Sequence, residues 1–88
     1  MTEFVVEMPH TEADCLKGLD EMAGKGDKFL KQVRWGCPSG VHIGWAIVEA
    51  KDESEVRNLV GSPVMLSKAR IVKVSRFSRN DVESFHKK

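Results

Sequence analysis

The stretch from Val41 to Ala50, VHIGWAIVEA, most constrains what this chain can fold into. Its β-branched and aromatic residues read as a strand. Successive side chains in a strand point to opposite faces, so Ile43, Trp45 and Ile47 share one side and Gly44, Ala46 and Val48 the other. Neither set is polar. A sheet built around such a strand is apolar on both sides, and each side needs cover. With 88 residues the chain supplies little of it, since a domain of this size buries only roughly 60–65% of the surface its unfolded form exposes.

The rest of the chain reads in the order strand, helix, strand, strand, helix, strand. Glu3 to Met8 is the first strand and Pro9 ends it. Thr11 and Asp14 have the form of a helix cap, followed at helical spacing by Cys15, Leu16, Leu19, Met22 and Ala23. Gly24-Lys25-Gly26 supplies a left-handed stop. Phe29 to Cys37 reads as the second strand, joined by a tight Pro38-Ser39-Gly40 hairpin to the third. Asp52 with Glu55 caps a short helix carrying Val56, Leu59 and Val60 inward, and Gly61-Ser62-Pro63 ends it. Val64-Met65-Leu66 has no clear assignment. Ala69 to Phe77 is the fourth strand, and Ser78 with Asp81 opens a last helix with Val82 and Phe85 inward.

Right-handed crossovers then predict an α+β fold: a βαββαβ chain whose antiparallel sheet runs 4-1-3-2, with both main helices on one face. Residues 1–88 form one ferredoxin-like domain with a short C-terminal helix. A three-residue hairpin loop pairs Trp35 with Ile43. One face then carries Val33, Trp35, Ile43, Trp45 and Ile47 with Phe4, Val6, Ile71 and Phe77. The small residues Gly36, Gly44 and Ala46 mark the other face, with Val5, Val72 and Val74, as the side the helices approach. The aromatic face is left open, and soluble monomers rarely show apolar patches above ~300–600 Å².

Net charge is +1, which argues against a dedicated electrostatic nucleic-acid binder. Lys68, Arg70, Lys73, Arg76 and Arg79 nonetheless run through the last strand without an acid among them; such cations guard an exposed edge against aggregation. No apolar run is long enough to span a membrane, and no charged-then-apolar leader precedes the first strand. Cys15 and Cys37 have no CxxC spacing. A cytoplasmic location with free thiols is expected, without membrane contact.

The stretches Val33-Arg34-Trp35-Gly36 and Gly44-Trp45-Ala46-Ile47-Val48-Glu49-Ala50 resemble small members of the dimeric α+β barrel superfamily, in which two ferredoxin-like subunits pack sheet on sheet. The resemblance implies a homodimer with Phe4, Trp35, Ile43, Trp45 and Ile47 at its interface. It also implies a ligand cleft between helices and sheet. The superfamily includes cofactor-independent monooxygenases, haem-degrading enzymes and muconolactone-isomerase-like proteins. None of their catalytic signatures is complete here, so a small-molecule-binding role without catalysis is equally compatible. Ile43 to Ala50 with Phe4-Val5 is also similar to RNA-recognition motifs. That resemblance implies bases on Phe4 and Trp45 and phosphates on the basic last strand. Ile43, Ile47 and Ala50 replace its basic and aromatic positions, which removes the stacking mechanism.

The topology gathers His10, Asp14, Cys15, Cys37 and His42 at one edge of the sheet, with Arg34 one pleat further in on the helix side. His42 as acid or base and Arg34 as anion holder, beside His10 and Cys37, are the expected contacts of a small, anionic ligand. Imidazole, thiolate and carboxylate are also the usual ligands of zinc. No local HxxxH or CxxC motif supports a metal, Cys15 falls on the apolar helix stripe as a core thiol would, and no cofactor is expected.

Overall fold

Burial alternates along Thr2–Pro9, which forms β1: Phe4, Val6 and Met8 are buried, and Glu3, Val5 and Glu7 point the other way. The computed structural model describes residues 2–86, so Met1, Lys87 and Lys88 lie outside it. β3 (Ile43–Ala50) alternates in the same manner, burying Gly44, Ala46, Val48 and Ala50. The two strands pair antiparallel from Thr2 opposite Ala50 to Pro9 opposite Ile43. β4 (Arg70–Val74) flanks β1, and the two-residue β2 (Arg34–Trp35) flanks β3. The sheet is a single four-stranded antiparallel one in the order β2-β3-β1-β4, or 4-1-3-2 from the opposite edge.

Among the described residues, five α-helices complete the α+β fold. α1 (Glu12–Ala23) begins where Thr11 accepts a hydrogen bond from the Asp14 N–H at 3.1 Å. α3 (Glu53–Val60) begins where Asp52 accepts from the Glu55 N–H at 2.9 Å. Both are the caps that the sequence pattern requires. The unassigned stretch after Gly61 is a helix, α4 (Pro63–Leu66). Ser62, fully buried, accepts from the Met65 N–H at 3.1 Å and donates to Glu21 at 2.6 Å. Met65 lies against Gly18, where an added Cβ would stand 2.5 Å from its terminal methyl. The core therefore joins Phe4, Val6, Met8, Ala46 and Val48 of the sheet to Met22, Val56, Val60 and Met65 of the helices. All the covering helices lie on that one face.

Several expectations are corrected. Residues 29–37 are not a continuous strand: Lys28–Gln32 is a helix, α2, and only Arg34–Trp35 pairs with β3. Phe29, Leu30 and Val33 fit a helical turn as well as a strand, and the Asp27–Lys31 ion pair at 3.1 Å closes that turn. The hairpin is longer than three residues, and the register moves by one, with Trp35 opposite Gly44 and Arg34 opposite Trp45. Because strand side chains have period two, that slip reverses the face of β2. Trp35 joins the helix-covered face, where Gly44 makes room: a Cβ there would sit 2.6 Å from the indole ring. Phe4 and Val6 share that face, with Phe4 only 7% exposed. Leu16 of α1, placed on the apolar stripe, faces solvent, while within Gly24-Lys25-Gly26 the left-handed residue is Gly26, at φ 105°.

The uncovered face carries Val5, Trp45, Ile47 and Val72, with Arg34, Arg70, Glu7 and Glu49 among them. Ile47 is 64% exposed and the Trp45 indole N–H donates to Glu7 at 3.2 Å. α5 (Arg79–His86) buries no residue, so Val82 and Phe85 do not turn inward. No helix among the described residues is long and apolar enough to cross a membrane.

Candidate metal centre

Three elements converge at the edge where β1 ends. His10 follows the last residue of β1. Cys15 lies in the first turns of α1, whose start the Thr11 cap fixes. Cys37 and His42 belong to the segment between β2 and β3, a 3₁₀ turn over Cys37–Ser39 closed by Gly40. Gly40 adopts φ 88°, a left-handed conformation open to glycine at little cost. Its N–H donates to the Cys37 carbonyl at 2.9 Å. The Gly36 N–H bonds to the Ile43 carbonyl at 2.9 Å, and the His10 N–H to the His42 carbonyl at 3.0 Å. The backbone thus pins both histidines and the Cys37 turn to one another.

One ligand-type atom from each of His10, Cys15, Cys37 and His42 lies within 4.8 Å of all the others. Cys37 Sγ is 3.3 Å from His10 Nε2 and 3.4 Å from Cys15 Sγ. Ligands of a tetrahedral zinc ion, bonded at roughly 2.0–2.3 Å, stand about 3.3–3.8 Å apart. Both separations fall close to that range. All four residues are half-buried, between solvent and core.

The hydrogen bonds also set the state of His10. Its Nδ1 lies 3.1 Å from the Met8 carbonyl. A carbonyl only accepts, so Nδ1 carries the proton and donates, and in the neutral ring Nε2 presents a lone pair to Cys37. A metal-binding histidine is oriented in the same way, one nitrogen held by a backbone carbonyl and the other free to ligate. His42 packs its ring edge-on to His10, with centroids 5.7 Å apart. Its Nδ1 is buried with no hydrogen-bond partner, a deficit that a nearby cation relieves. Burial pushes the Cys15 thiol above its ordinary pKa, and the hydrogen bond to Cys37 and the charges of Cys37 and Glu12 act in the same direction. Without a cation, Cys15 favours the thiol.

Of the residues singled out in the sequence, His10, Cys37 and His42 come together, joined by Cys15. Cys15 is neither in the core cluster nor fully buried, contrary to its reading as a core thiol. Asp14 stays exposed outside the group, its N–H on the Thr11 cap. Arg34 is not on the helix side: the register slip carries it to the open face opposite Trp45, and its guanidinium donates to the Lys31 carbonyl at 3.3 Å. His42 and Arg34 therefore do not line one cleft. A cavity of about 250 Å³ does lie among the helices, lined by Met22, Phe29, Gln32 and Leu59, but none of the four clustered residues reaches it.

Comparison with protein-family models, with curated proteins and with solved structures finds no match for this chain.

Proposed function

We propose that the protein binds one soft divalent metal ion, zinc in the first instance, through His10, Cys15, Cys37 and His42. The observation that carries this reading is the mutual approach of two sulfurs and two imidazole nitrogens, all within 4.8 Å. Thiolate and imidazole together favour zinc over magnesium or calcium, which take oxygen ligands. Four protein ligands complete a tetrahedron and leave no position for a substrate, so the set supports holding a metal rather than metal catalysis. The sequence-based expectation of no metal gives way here, because it rested on the lack of a local motif. The ligands are paired as H-x4-C and C-x4-H, and only the fold brings the pairs together.

The test is metal analysis of protein purified without a histidine tag, followed by titration with Zn(II) and with Co(II) as a spectroscopic probe. One ion per chain, tetrahedral cobalt absorption with thiolate-to-metal charge transfer, and loss of both in Cys37→Ser and His10→Ala support the site. A chain that binds no zinc at micromolar concentration, or binds it equally well in both variants, removes it.

A second reading concerns assembly. The exposed Trp45, Ile47 and Val72, with the half-buried Val5, on the uncovered sheet face favour a homodimer of ferredoxin-like subunits, sheet against sheet, of the α+β barrel kind. The interface then holds Trp45, Ile47 and Ile43 but neither Phe4 nor Trp35, which face the helices. The RNA-recognition alternative loses Phe4 for the same reason, because a side chain in the core offers no π-face to a base.

A further inference from the structure

We propose that Cys15 and Cys37 form a peroxide-sensitive pair, whose oxidation to an intramolecular disulfide takes both sulfurs from the metal and empties the site. The inference rests on the metal reading above and adds the control of that same site.

The two sulfurs stand 3.4 Å apart. A disulfide bond measures about 2.05 Å, so roughly 1.4 Å has to close, which rotation about the side-chain torsions covers. Cys15 sits in α1 just after the Thr11 cap, and Cys37 begins the 3₁₀ turn that Gly40 closes. They are 22 positions apart in sequence and brought together by the fold, and the chain has no other cysteine. Both are half-buried, which leaves them open to a molecule as small as hydrogen peroxide.

His10 decides which sulfur reacts first. With Nδ1 donating to the Met8 carbonyl, Nε2 faces Cys37 Sγ at 3.3 Å as an acceptor. Cys37 therefore has a base at its thiol and is the attacking sulfur. In the metal-free chain it attacks one oxygen of hydrogen peroxide. An S–O bond forms, the O–O bond breaks, and the Cys37 proton passes through His10 to the departing hydroxide, which leaves as water. Cys37 is then a sulfenic acid. The Cys15 sulfur attacks it in turn: an S–S bond forms, the S–O bond breaks, and hydroxide leaves with the Cys15 proton as a second water. Two thiols thus give two electrons to one hydrogen peroxide, and one disulfide and two waters result.

The oxidised chain keeps only His10 and His42 for a metal. Loss of an outer partner of a ligand already lowers metal affinity about 10–100-fold, so loss of two ligands lowers it by more than about a hundredfold. An ion in place engages both sulfurs and slows the oxidation. Metal and disulfide exclude one another.

The experiment exposes the metal-free and the zinc-loaded chain, made without a histidine tag, to hydrogen peroxide. Intact mass, zinc released to a colorimetric chelator, and zinc affinity before and after dithiothreitol are followed. The expected metal-free product is lighter by two hydrogens and carries a Cys15–Cys37 cross-link in its peptide map. Its zinc affinity is more than about a hundredfold weaker and returns with dithiothreitol. The zinc-loaded chain reacts more slowly and gives up its ion as it does. In Cys15→Ser the reaction stops at a sulfenic acid on Cys37, which dimedone traps. A zinc-binding chain whose cysteines pass to sulfinic acid without a disulfide, or join two chains, overturns the inference and leaves the metal reading standing. So does a disulfide-bonded chain that holds zinc at full affinity, or a Cys15→Ser chain whose Cys37 does not react. A reduced chain that takes up no zinc overturns both.

Discussion

Met65 shows how much one residue in a short, unpatterned stretch can hold. It is fully buried, sits over Gly18, and has its backbone fixed by Ser62. Replacing it by alanine removes the side chain that joins α4 to α1 and leaves a cavity. We expect Met65→Ala to cost about 2–4 kcal/mol in urea unfolding with zinc stoichiometry unchanged; a loss below about 1 kcal/mol would show that the helices close over the gap. Nothing in Val64-Met65-Leu66 signalled this role, because three apolar residues carry no period. His10, Cys15, Cys37 and His42 were legible as one edge of the sheet, since that follows from strand order alone. Their separations were not. They depend on the turn at Gly40 and on the Met8 carbonyl that orients His10, neither of which spacing reveals.

At the scale of elements, the capped helices were the most readable parts. Thr11, Asp52 and the Ser78–Asp81 pair each sit where a side-chain oxygen answers a free N–H. The last of these yields a pH dependence. The Ser78 N–H and hydroxyl both donate to the Asp81 carboxylate, at 2.9 and 3.0 Å, and hold it below its ordinary pKa of 3.8. A depressed carboxyl contributes its stabilisation in full above the unfolded value and loses it as pH falls through the lower folded one. The amides of α5 should therefore keep their hydrogen-exchange protection on going down to about pH 5 and lose it first, ahead of α1 and α3, below pH 3.8. Asp81→Asn, which cannot titrate, should show no such step. The second strand was the least readable element. Its apolar residues fit two periods, and with only Arg34 and Trp35 paired, one residue of register decided which face held Trp35 and which held Arg34.

For the whole molecule, the proposed metal site and the core are separate. The core runs from Phe4 and Val6 through Met22, Val56 and Met65, and includes none of the four ligands. His10, Cys15, Cys37 and His42 instead join the end of β1, the start of α1 and the turn before β3. A chelator should leave the helical and strand circular dichroism at 25 °C in place but lower the midpoint of thermal unfolding. An ion present at about a thousand times its dissociation constant adds ~4 kcal/mol, which in a domain of this size corresponds to roughly 15–30 °C. A midpoint that does not move on chelation would mean that no ion is held in the folded state. Two of the cations fit a plainer role: Arg70 and Lys73 lie in β4, an edge strand, and Arg76, just past its end, reaches back to Glu3 at 3.2 Å.

The division of the two tryptophans between opposite faces gives the molecule a pair of separate optical reporters. Trp35 lies edge-on to His10, with ring centroids 6.2 Å apart, within reach of any change in charge on that imidazole. Trp45 stands on the far side of the sheet beside Glu7 and the open surface. Emission from the first follows what happens among the histidines and cysteines, and emission from the second follows what comes to lie on the sheet. With either indole replaced by phenylalanine, metal loading and association can be watched one at a time in the same chain.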